Sequence, residues 1–494
     1  MGYAGPITNI IVVMLENRSY DNVLGMLYAP GNPAPYDSAP AGQLTLDGLP
    51  PDASNVDPVT GLALNAWGGP GDSPTIPETD PGEPFYDMAQ QIQGAAFKED
   101  DNPYSSSATA PMGGFVANYR AQFAGGQTAS SAGIGNVQNA VRDVMHVYTP
   151  WLMPVTAYLA RNFMVCDAWF ASAPTQTFAN RMFAHCATPG GSSTESFLDD
   201  SQYLLTWAAG GFGANNVFAQ LDAVLGVGAK PNWKVYFHDY SISMGLVKYV
   251  NAAATSASNI NVASYDQSDY PDTSSLWPVG AWPNTFLADL ANGTSPPYSF
   301  VEPRYSNSYQ DLLDSSKHAV PGLAPNSNHP GLANFTTNAL PNNPPISVVN
   351  GELFLLGLYS ALLASPLWKS SLLVILYDEH GGLYDHVYPP SVAAAASSAI
   401  PPASSSYGNF AFNIYGGRVP AIIVSPFVTA GSRLVSSGAP FDHTSIIRTV
   451  WDCFNLDQGT HGAASINAWD LNAPSILTKC STTIVNNPPK PPSL

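Results

Sequence analysis

Two continuous apolar runs stand out along the chain, and each of them ends in acidic residues. Residues 9–16 read NIIVVMLE and residues 371–379 read SLLVILYDE. Runs of this length without alternating polar positions are typical of strands that are covered on both faces, as in a parallel sheet. Shorter runs of the same kind predict further strands at 164–170, 233–239, 298–305 and 418–428.

Apolar residues recur at helical spacing between these strands. The spacing predicts helices at 149–163, from about 351 to 368, and at 442–454, the last with Asp442 or Thr444 at its N-cap. Strands that alternate with helices favour a mostly parallel sheet with helices on both of its faces. The pattern therefore predicts the α/β fold class.

Long stretches rich in proline, glycine and serine interrupt this alternation. The chain has 45 prolines and 41 glycines, which indicates long irregular connections on the surface. We interpret the stretches near 28–110, 190–230 and 388–415 as insertions into a single domain that spans residues 1–485. Residues 486–494 read NNPPKPPSL and are predicted to form an extended tail.

Composition and charge narrow the class of protein. Hydrophobic residues make up 45% of the 494 residues and charged residues only 11%, as in a globular chain. The formal charge of −19 argues against nucleic acid or an anionic membrane surface as a partner. A phosphate-bearing substrate would therefore need local positive charge, most simply from a bound metal.

The sequence predicts no membrane span and no signal peptide. Its apolar runs fall short of the roughly 20 residues that cross a bilayer. The N-terminus MGYAGPITNIIVVML has neither a basic region nor a cleavage site. The protein is thus either intracellular, or its sequence starts at a mature N-terminus.

Polar clusters follow three of the predicted strands. Glu16 and Asn17 end the first, Asp378 and Glu379 end the strand that starts at 371, and the loop after 164–170 carries Thr177 and Asn180. Ligands of open α/β sheets collect at the carboxyl ends of strands. Acid and amide oxygens suit a divalent cation, and a hydroxyl held beside that cation could attack phosphorus.

Each of these residues also has an ordinary structural explanation. Glu16 alone could form a surface ion pair, and Thr177 alone could bond the backbone of its own loop. The segment DEHGG at 378–382 could be a polar turn whose glycines supply positive φ. The coincidence of three clusters at three strand ends favours the chemical interpretation.

Five blocks of the sequence resemble those of a known family. They read MLENRSYDNVLG, CDAWFASAPTQTFANRMFAHCAT, NHP, LYDEHGGLYDHV and PFDHTSIIRTV. In this order they resemble the phosphoesterase family of non-specific phospholipases C and AcpA-type acid phosphatases, over residues 9 to about 455. The resemblance implies an alkaline-phosphatase-like α/β/α sandwich with a mostly parallel central sheet and long lid insertions.

The resemblance also implies a metal site and a nucleophile. Glu16, Asn17, Asp378 and Glu379 match the family's metal ligands. Thr177 matches the hydroxyl nucleophile, which would also contact the metal. One divalent ion is expected, and Ca, Mg, Mn and Zn all remain open.

Further residues match positions near the substrate in that family. Asn180 matches an amide that holds a phosphoryl oxygen, and His329 matches an imidazole that contacts the phosphate. His386 and His443 fit roles near the leaving group or behind the metal ligands. His380 is either an additional ligand or, more simply, a turn histidine.

The nucleophile loop departs from the family pattern. It reads PTQTFANR, with Thr175, Gln176 and Ala179 in place of glycine and two prolines. Thr175 is therefore a rival nucleophile, although Thr177 keeps the expected distance to Asn180.

These features predict a metal-dependent hydrolase of phosphoric esters that forms a phosphothreonine intermediate. Phospholipase C-type cleavage of a phosphodiester is favoured, with an acid phosphatase as the alternative and a non-catalytic binding scaffold as a remote one. The expected partner is a phosphate ester or phospholipid, and we expect a secreted or periplasmic location. Oligomeric state stays open, as does the choice between a disulfide and free thiols for Cys453 and Cys480.

Overall fold

The architecture is known from a computed structural model. It describes residues 5–97, 104, 111–124, 137–213, 215–228, 230–237, 241–254, 262–264, 286–305, 325–331, 347–456, 466–488 and 490.

The centre of the fold is an eight-stranded sheet in the order β11-β4-β10-β9-β1-β8-β6-β7. Its strands, in chain order, are β1 (Asn9–Leu15), β4 (Met164–Cys166), β6 (Trp233–Phe237), β7 (Val262–Ser264), β8 (Tyr298–Val301), β9 (Ser371–Tyr377), β10 (Ala421–Val424) and β11 (Ser432–Arg433). Strand β10 is antiparallel to both of its neighbours, and the other pairings are parallel. The prediction of a mostly parallel α/β sheet is confirmed.

Two small ribbons accompany this sheet. One is the antiparallel pair β2 (Ser54–Val56) and β3 (Ala63–Asn65), and the other is the parallel pair β5 (Trp169–Phe170) and β12 (Phe441–Asp442). The strand predicted at 164–170 is thus two short strands. The ribbon β2–β3 lies within the stretch near 28–110, which therefore has secondary structure of its own.

Fifteen α-helices lie within the described residues. They are α1 (Tyr20–Leu24), α2 (Phe85–Gln93), α3 (Phe115–Ala124), α4 (Val137–Ala140), α5 (Pro154–Asn162), α6 (Thr177–Cys186), α7 (Leu204–Ala208), α8 (Val217–Leu225), α9 (Ile242–Leu246), α10 (Lys248–Ala254), α11 (Phe286–Asn292), α12 (Val348–Ala364), α13 (Ala394–Ser397), α14 (Thr444–Phe454) and α15 (Ala468–Asn472). Helices α5, α11 and α12 pack together, while α6 packs with α8, α9 and α14. No helix of the described residues is long and apolar enough to cross a membrane.

The central strands form the middle of the main hydrophobic core. Every residue of β1 and of β9 is buried, as expected for strands covered on both faces. The cysteines Cys166, Cys186, Cys453 and Cys480 are all free. The proposed extent of a single domain over 1–485 and the extended tail at 486–494 stay predictions.

Candidate active site

Two neighbouring strands end in acidic residues at the same edge of the sheet. Strands β1 and β9 run parallel, and their last residues, Leu15 and Tyr377, pair with each other. Glu16 and Asp378 follow directly, and both are completely buried. The first and the third polar clusters therefore meet, although their positions in the sequence are far apart.

Asn17 connects these strand ends to the nucleophile loop. Its φ of 56° lies in the left-handed region, which asparagine adopts more readily than most residues. Its backbone N–H donates to Asp378 Oδ1 at 2.9 Å, and its side-chain oxygen accepts from Thr177 Oγ1 at 3.3 Å. Its Nδ2 lies 2.6 Å from Glu83 Oε1 and 3.2 Å from His329 Nε2. All three polar clusters thus meet at this one residue.

The two candidate nucleophiles have different surroundings. Thr177 is the first residue of α6, and its hydroxyl contacts Asn17. Thr175 is completely buried, and its hydroxyl lies 3.1 Å from the Leu198 carbonyl and 3.2 Å from Asp199 Oδ1. Thr177 is therefore the threonine that contacts the strand ends.

Arg181 brings a buried positive charge to this edge. It lies one turn after Thr177, and its Nη2 is 3.0 Å from Asp378 Oδ2. Nη2 also donates to the carbonyls of Met14 and Leu15 at 3.3 Å. Nη1 is buried and has no hydrogen-bond partner in the described part of the chain. Such a donor is suited to bind an anion.

Carboxylate oxygens without partners lie at the same edge. Both side-chain oxygens of Glu16 and Oε1 of Glu379 are buried and accept no hydrogen bond from any described residue. Burial raises the pKa of Glu16 to about 8 and raises the pKa of Glu379 well above its ordinary value. Because an unpaired buried carboxylate is unfavourable, these oxygens fit a hard divalent cation, which binds such ligands.

Two glycines let the chain turn sharply beside these acids. Gly381 and Gly382 have φ of 65° and 61°, which glycine adopts without strain. A Cβ on Gly381 would lie 2.0 Å from the Asn17 carbonyl oxygen, and one on Gly382 would lie 2.6 Å from Pro81 Cβ. The turn therefore has no room for a side chain at either position.

Two of the predicted site residues bond to the protein backbone. Asn180 Nδ2 donates to three carbonyls of its own loop at 173–176, and its Oδ1 accepts from a backbone N–H there. His443 Nε2 lies 2.5 Å from the Asp378 carbonyl oxygen. Burial lowers the pKa of His443 to about 4, so its ring is neutral. In this conformation the two residues support the nucleophile loop and the end of β9.

His386 lies in a second cluster of acids. Its Nδ1 is 2.7 Å from Asp21 Oδ2. Arg418 contacts both acids of the cluster, with Nη2 3.1 Å from Asp21 Oδ1 and Nε 2.9 Å from Asp385 Oδ1. The contacts described for His386 do not include Thr177 or Asn17. His380 is also turned away, with Nε2 2.8 Å from Gln91 Oε1.

Three acids that sequence reasoning missed border the site. Asp200 Oδ1 accepts from the Phe178 N–H at 2.9 Å, at the start of α6. Asp80 and Glu83 lie beside His329, and their ligand atoms are within 4.8 Å of one another. These acids lie in the stretches that we interpreted as insertions. Nothing in the sequence there distinguishes them from acids that are exposed to solvent.

Two groups of three residues bring His or acid ligand atoms within 4.8 Å of one another. Among the described residues they are Asp80–Glu83–His329 and Asp21–Asp385–His386. The acids predicted as metal ligands, Glu16, Asp378 and Glu379, do not form such a group. Asp378 instead contacts Arg181 and the backbone N–H groups of Asn17 and Glu379.

Comparison with protein families gives a match over most of the chain. A profile of the Phosphoesterase family matches residues 7–457. The chain belongs to the Phosphoesterase family. The family predicted from the five sequence blocks is therefore confirmed.

Curated relatives of this phosphoesterase cover nearly its whole length. Non-specific phospholipase C3 of Arabidopsis thaliana is 28% identical over 503 residues, which are 98% of this chain and 77% of that protein. Phospholipase C A of Mycobacterium tuberculosis is 25% identical over 473 residues, which are 91% of this chain and 73% of that protein. A solved structure from Vibrio parahaemolyticus, described as a protein in the alkaline phosphatase superfamily, has 11% identity and a TM-score of 0.30, with 61% of this chain and 60% of that chain covered.

Proposed function

We propose that this phosphoesterase hydrolyses phosphoric esters by a phospholipase C-type reaction, with Thr177 as the nucleophile. One observation carries the proposal. The Thr177 hydroxyl lies at the N-terminus of α6, 3.3 Å from Asn17 Oδ1, at the sheet edge where Glu16 and Glu379 have buried oxygens without a described partner. The names of the curated relatives support the phospholipase C class.

The first step would be an in-line attack by Thr177 Oγ on phosphorus, which forms a phosphothreonine and breaks the bond to the leaving alcohol. A divalent cation held by Glu16, Asn17, Asp378 and Glu379 would act as a Lewis acid and lower the pKa of the attacking hydroxyl. Water would then release the phosphoryl group from Thr177, together with any head group that it still carries. Such two-step transfer splits one difficult displacement into two easier ones.

Negative charge on the phosphoryl oxygens needs donors that are already in place. Arg181 is a candidate donor, because its Nη1 has no described partner and its remaining nitrogens are held by Asp378 and the end of β1. The predicted contact between Asn180 and a phosphoryl oxygen would require its amide to leave the loop carbonyls. We therefore propose that Asn180 shapes the loop and that Arg181 binds the phosphoryl group.

The departing alcohol needs a proton, and His386 and His443 were expected near the leaving group, with His329 at the phosphate. His443 is bonded to a backbone carbonyl, and His386 is bonded to Asp21. His329 lies beside Asn17, the partner of Thr177. We propose that the His329 ring takes up the proton that the Thr177 hydroxyl gives up and passes it to the departing alcohol.

The substrate distinguishes the two enzyme alternatives. A phospholipase C would cleave p-nitrophenylphosphocholine, a diester, whereas an acid phosphatase would prefer p-nitrophenyl phosphate, a monoester. Rates of hydrolysis of the two esters, measured with and without a chelator, give the ratio of diesterase to monoesterase activity. We expect the diester to be preferred and the chelator to abolish turnover. Mass spectrometry of the acid-quenched enzyme should find a phosphocholine group on Thr177 after the diester and a phosphate after the monoester. Metal-replete protein that hydrolyses neither ester would favour the binding scaffold.

A further inference from the structure

Glu83 faces the side chain of Asn17, the residue at which the three clusters of the site meet. Its Oε1 lies 2.6 Å from Asn17 Nδ2, and its side chain is 10% exposed. It belongs to the stretch near 28–110, which is remote from every block that predicted the site. It is not one of the residues assigned above to nucleophile, metal or proton transfer.

Two acceptors lie on the same side of the Asn17 carboxamide. One is the Glu83 carboxylate, and the other is His329 Nε2 at 3.2 Å. His329 Nδ1 lies 2.7 Å from the Pro330 carbonyl, which accepts only, so Nδ1 carries the proton and Nε2 offers a lone pair. Both hydrogens of the Asn17 NH₂ group therefore have acceptors, and the amide oxygen points the other way, toward Thr177 Oγ1.

We propose that Glu83 is a positioning residue, which orients the Asn17 carboxamide so that its oxygen faces the Thr177 hydroxyl. A carboxamide rotated by half a turn would set its oxygen against the Glu83 carboxylate and its NH₂ group against Thr177. Oxygen is the atom that a hard cation binds. This role rests on the proposed function, because the orientation of the Asn17 carboxamide matters for catalysis only if Asn17 Oδ1 binds a metal beside the nucleophile.

The backbone around Glu83 is held firmly enough for this task. Gln91 on α2 donates through Nε2 to the Gly82 carbonyl at 2.6 Å, and the Pro84 carbonyl accepts from Met88 N–H at 3.0 Å. The same Gln91 contacts His380 after β9 through Oε1 at 2.8 Å. Helix α2 thus ties the Glu83 segment to the turn that carries Glu379, as expected for groups that orient ligands.

Glu83 could instead bind a cation directly, since Asp80 and His329 are its neighbours. The two roles predict different behaviour for an isosteric amide. Glu83→Gln keeps an acceptor oxygen that can face Asn17 Nδ2, so orientation survives while the negative charge is lost. Glu83→Ala removes both. A positioning role therefore predicts rescue by glutamine, and a direct ligand role does not.

The experiment is a Mn²⁺ titration of the full-length protein, followed by the electron paramagnetic resonance signal of free Mn²⁺. It compares wild type, Glu83→Ala, Glu83→Gln and the control Glu78→Ala. Glu78 is exposed and lies five positions earlier in the same segment, so its removal changes the charge equally. We expect Glu83→Ala to weaken Mn²⁺ binding by about 10- to 100-fold, as is usual when a group that orients a ligand is lost. Glu83→Gln should recover most of the affinity, and Glu78→Ala should match wild type.

Steady-state kinetics with p-nitrophenylphosphocholine at saturating Mn²⁺ supply a second readout. The positioning role predicts that Glu83→Ala lowers kcat with little change in KM, and that Glu83→Gln restores kcat. Equal Mn²⁺ affinities for Glu83→Ala and Glu78→Ala would overturn the proposal, and so would a Glu83→Gln variant as weak as Glu83→Ala. Wild-type protein that binds Mn²⁺ but hydrolyses neither ester would contradict the proposed function, while the affinities would still decide the role of Glu83.

Discussion

The stretch 378–386 contributes acids to two neighbouring clusters that are built in opposite ways. Asp385 and His386 join Asp21 around Arg418. Within the described residues, each carboxylate oxygen of Asp21 and of Asp385 accepts a hydrogen bond. Glu379, six residues before Asp385, has one buried oxygen with no described partner. Both clusters are buried, so burial does not distinguish them.

The difference lies in what compensates the buried charge. In the Arg418 cluster a guanidinium and N–H donors from the chain itself bond every oxygen of Asp21 and Asp385, which is the usual condition for buried acids. Around Glu379 and Glu16 that compensation is incomplete. A cluster whose carboxylate oxygens all have donors stabilises the fold. A cluster with carboxylate oxygens that lack donors is suited to bind a cation.

The largest expected effect separates activity from folding. Thr177→Ala should lower kcat by about 10³-fold or more, as is usual for loss of a nucleophile. Its melting temperature should stay near that of wild type, since the lost hydroxyl makes one long hydrogen bond. The matched change Thr175→Ala removes a hydroxyl that bonds the 198–199 segment and should keep most of the activity. A Thr177→Ala variant with near-wild-type turnover would refute the assignment of the nucleophile.

The next effect concerns stability and should differ between the two clusters. Asp385→Asn sets an NH₂ group against donors, because Oδ1 accepts from Arg418 and Oδ2 accepts from the Asp21 N–H. Breaking such a buried pair should cost about 3 kcal/mol in the free energy of unfolding. Glu379→Gln keeps an acceptor for the Gly381 N–H and removes a carboxyl group whose ionisation is opposed by burial.

Urea unfolding of both variants in chelator checks this contrast. We expect Asp385→Asn to be destabilised and Glu379→Gln to be as stable as wild type or slightly more stable. Equal destabilisation of the two variants would contradict the distinction between the clusters.

A divalent cation should stabilise the folded protein through one cluster only. Binding at a concentration of 100 times Kd adds about 2.7 kcal/mol, which thermal unfolding with and without Mn²⁺ would detect. The shift should vanish in Glu379→Gln and persist in Asp385→Asn. A shift that survives in Glu379→Gln and disappears in Asp385→Asn would move the metal to the Arg418 cluster.

The smallest effect is a pH dependence that belongs to His386. Burial by itself would lower the pKa of His386, but the hydrogen bond and charge of Asp21 outweigh it and raise the pKa above 6.5. Folded His386 therefore holds its proton more tightly than the unfolded chain does. The stability that it contributes is complete below pH 6.5 and is lost as the pH rises through the folded pKa. Melting temperatures from pH 5 to 9 should decline less steeply in His386→Gln than in wild type.

Much of the fold was predictable because its signals are local. The apolar runs of β1 and β9 predicted buried parallel strands, and the acids after them marked the edge where the strands end. The antiparallel direction of β10 was not predictable, because a short apolar run has the same pattern in a parallel and in an antiparallel strand. The helix α2, inside a stretch taken as irregular, was missed because surrounding prolines and glycines hid its pattern.

The sequence by itself determined the family, the buried strands and the identity of the residues at the strand ends, because each depends on neighbours along the chain. Only the tertiary structure decided which partners those residues have. Asn17 meets Glu83 66 positions away and Asp378 361 positions away, and no local pattern encodes such contacts. The same structure separated the acids of DEHGGLYDH into one satisfied cluster and one with open oxygens, because Arg418 reaches only the second half of that stretch.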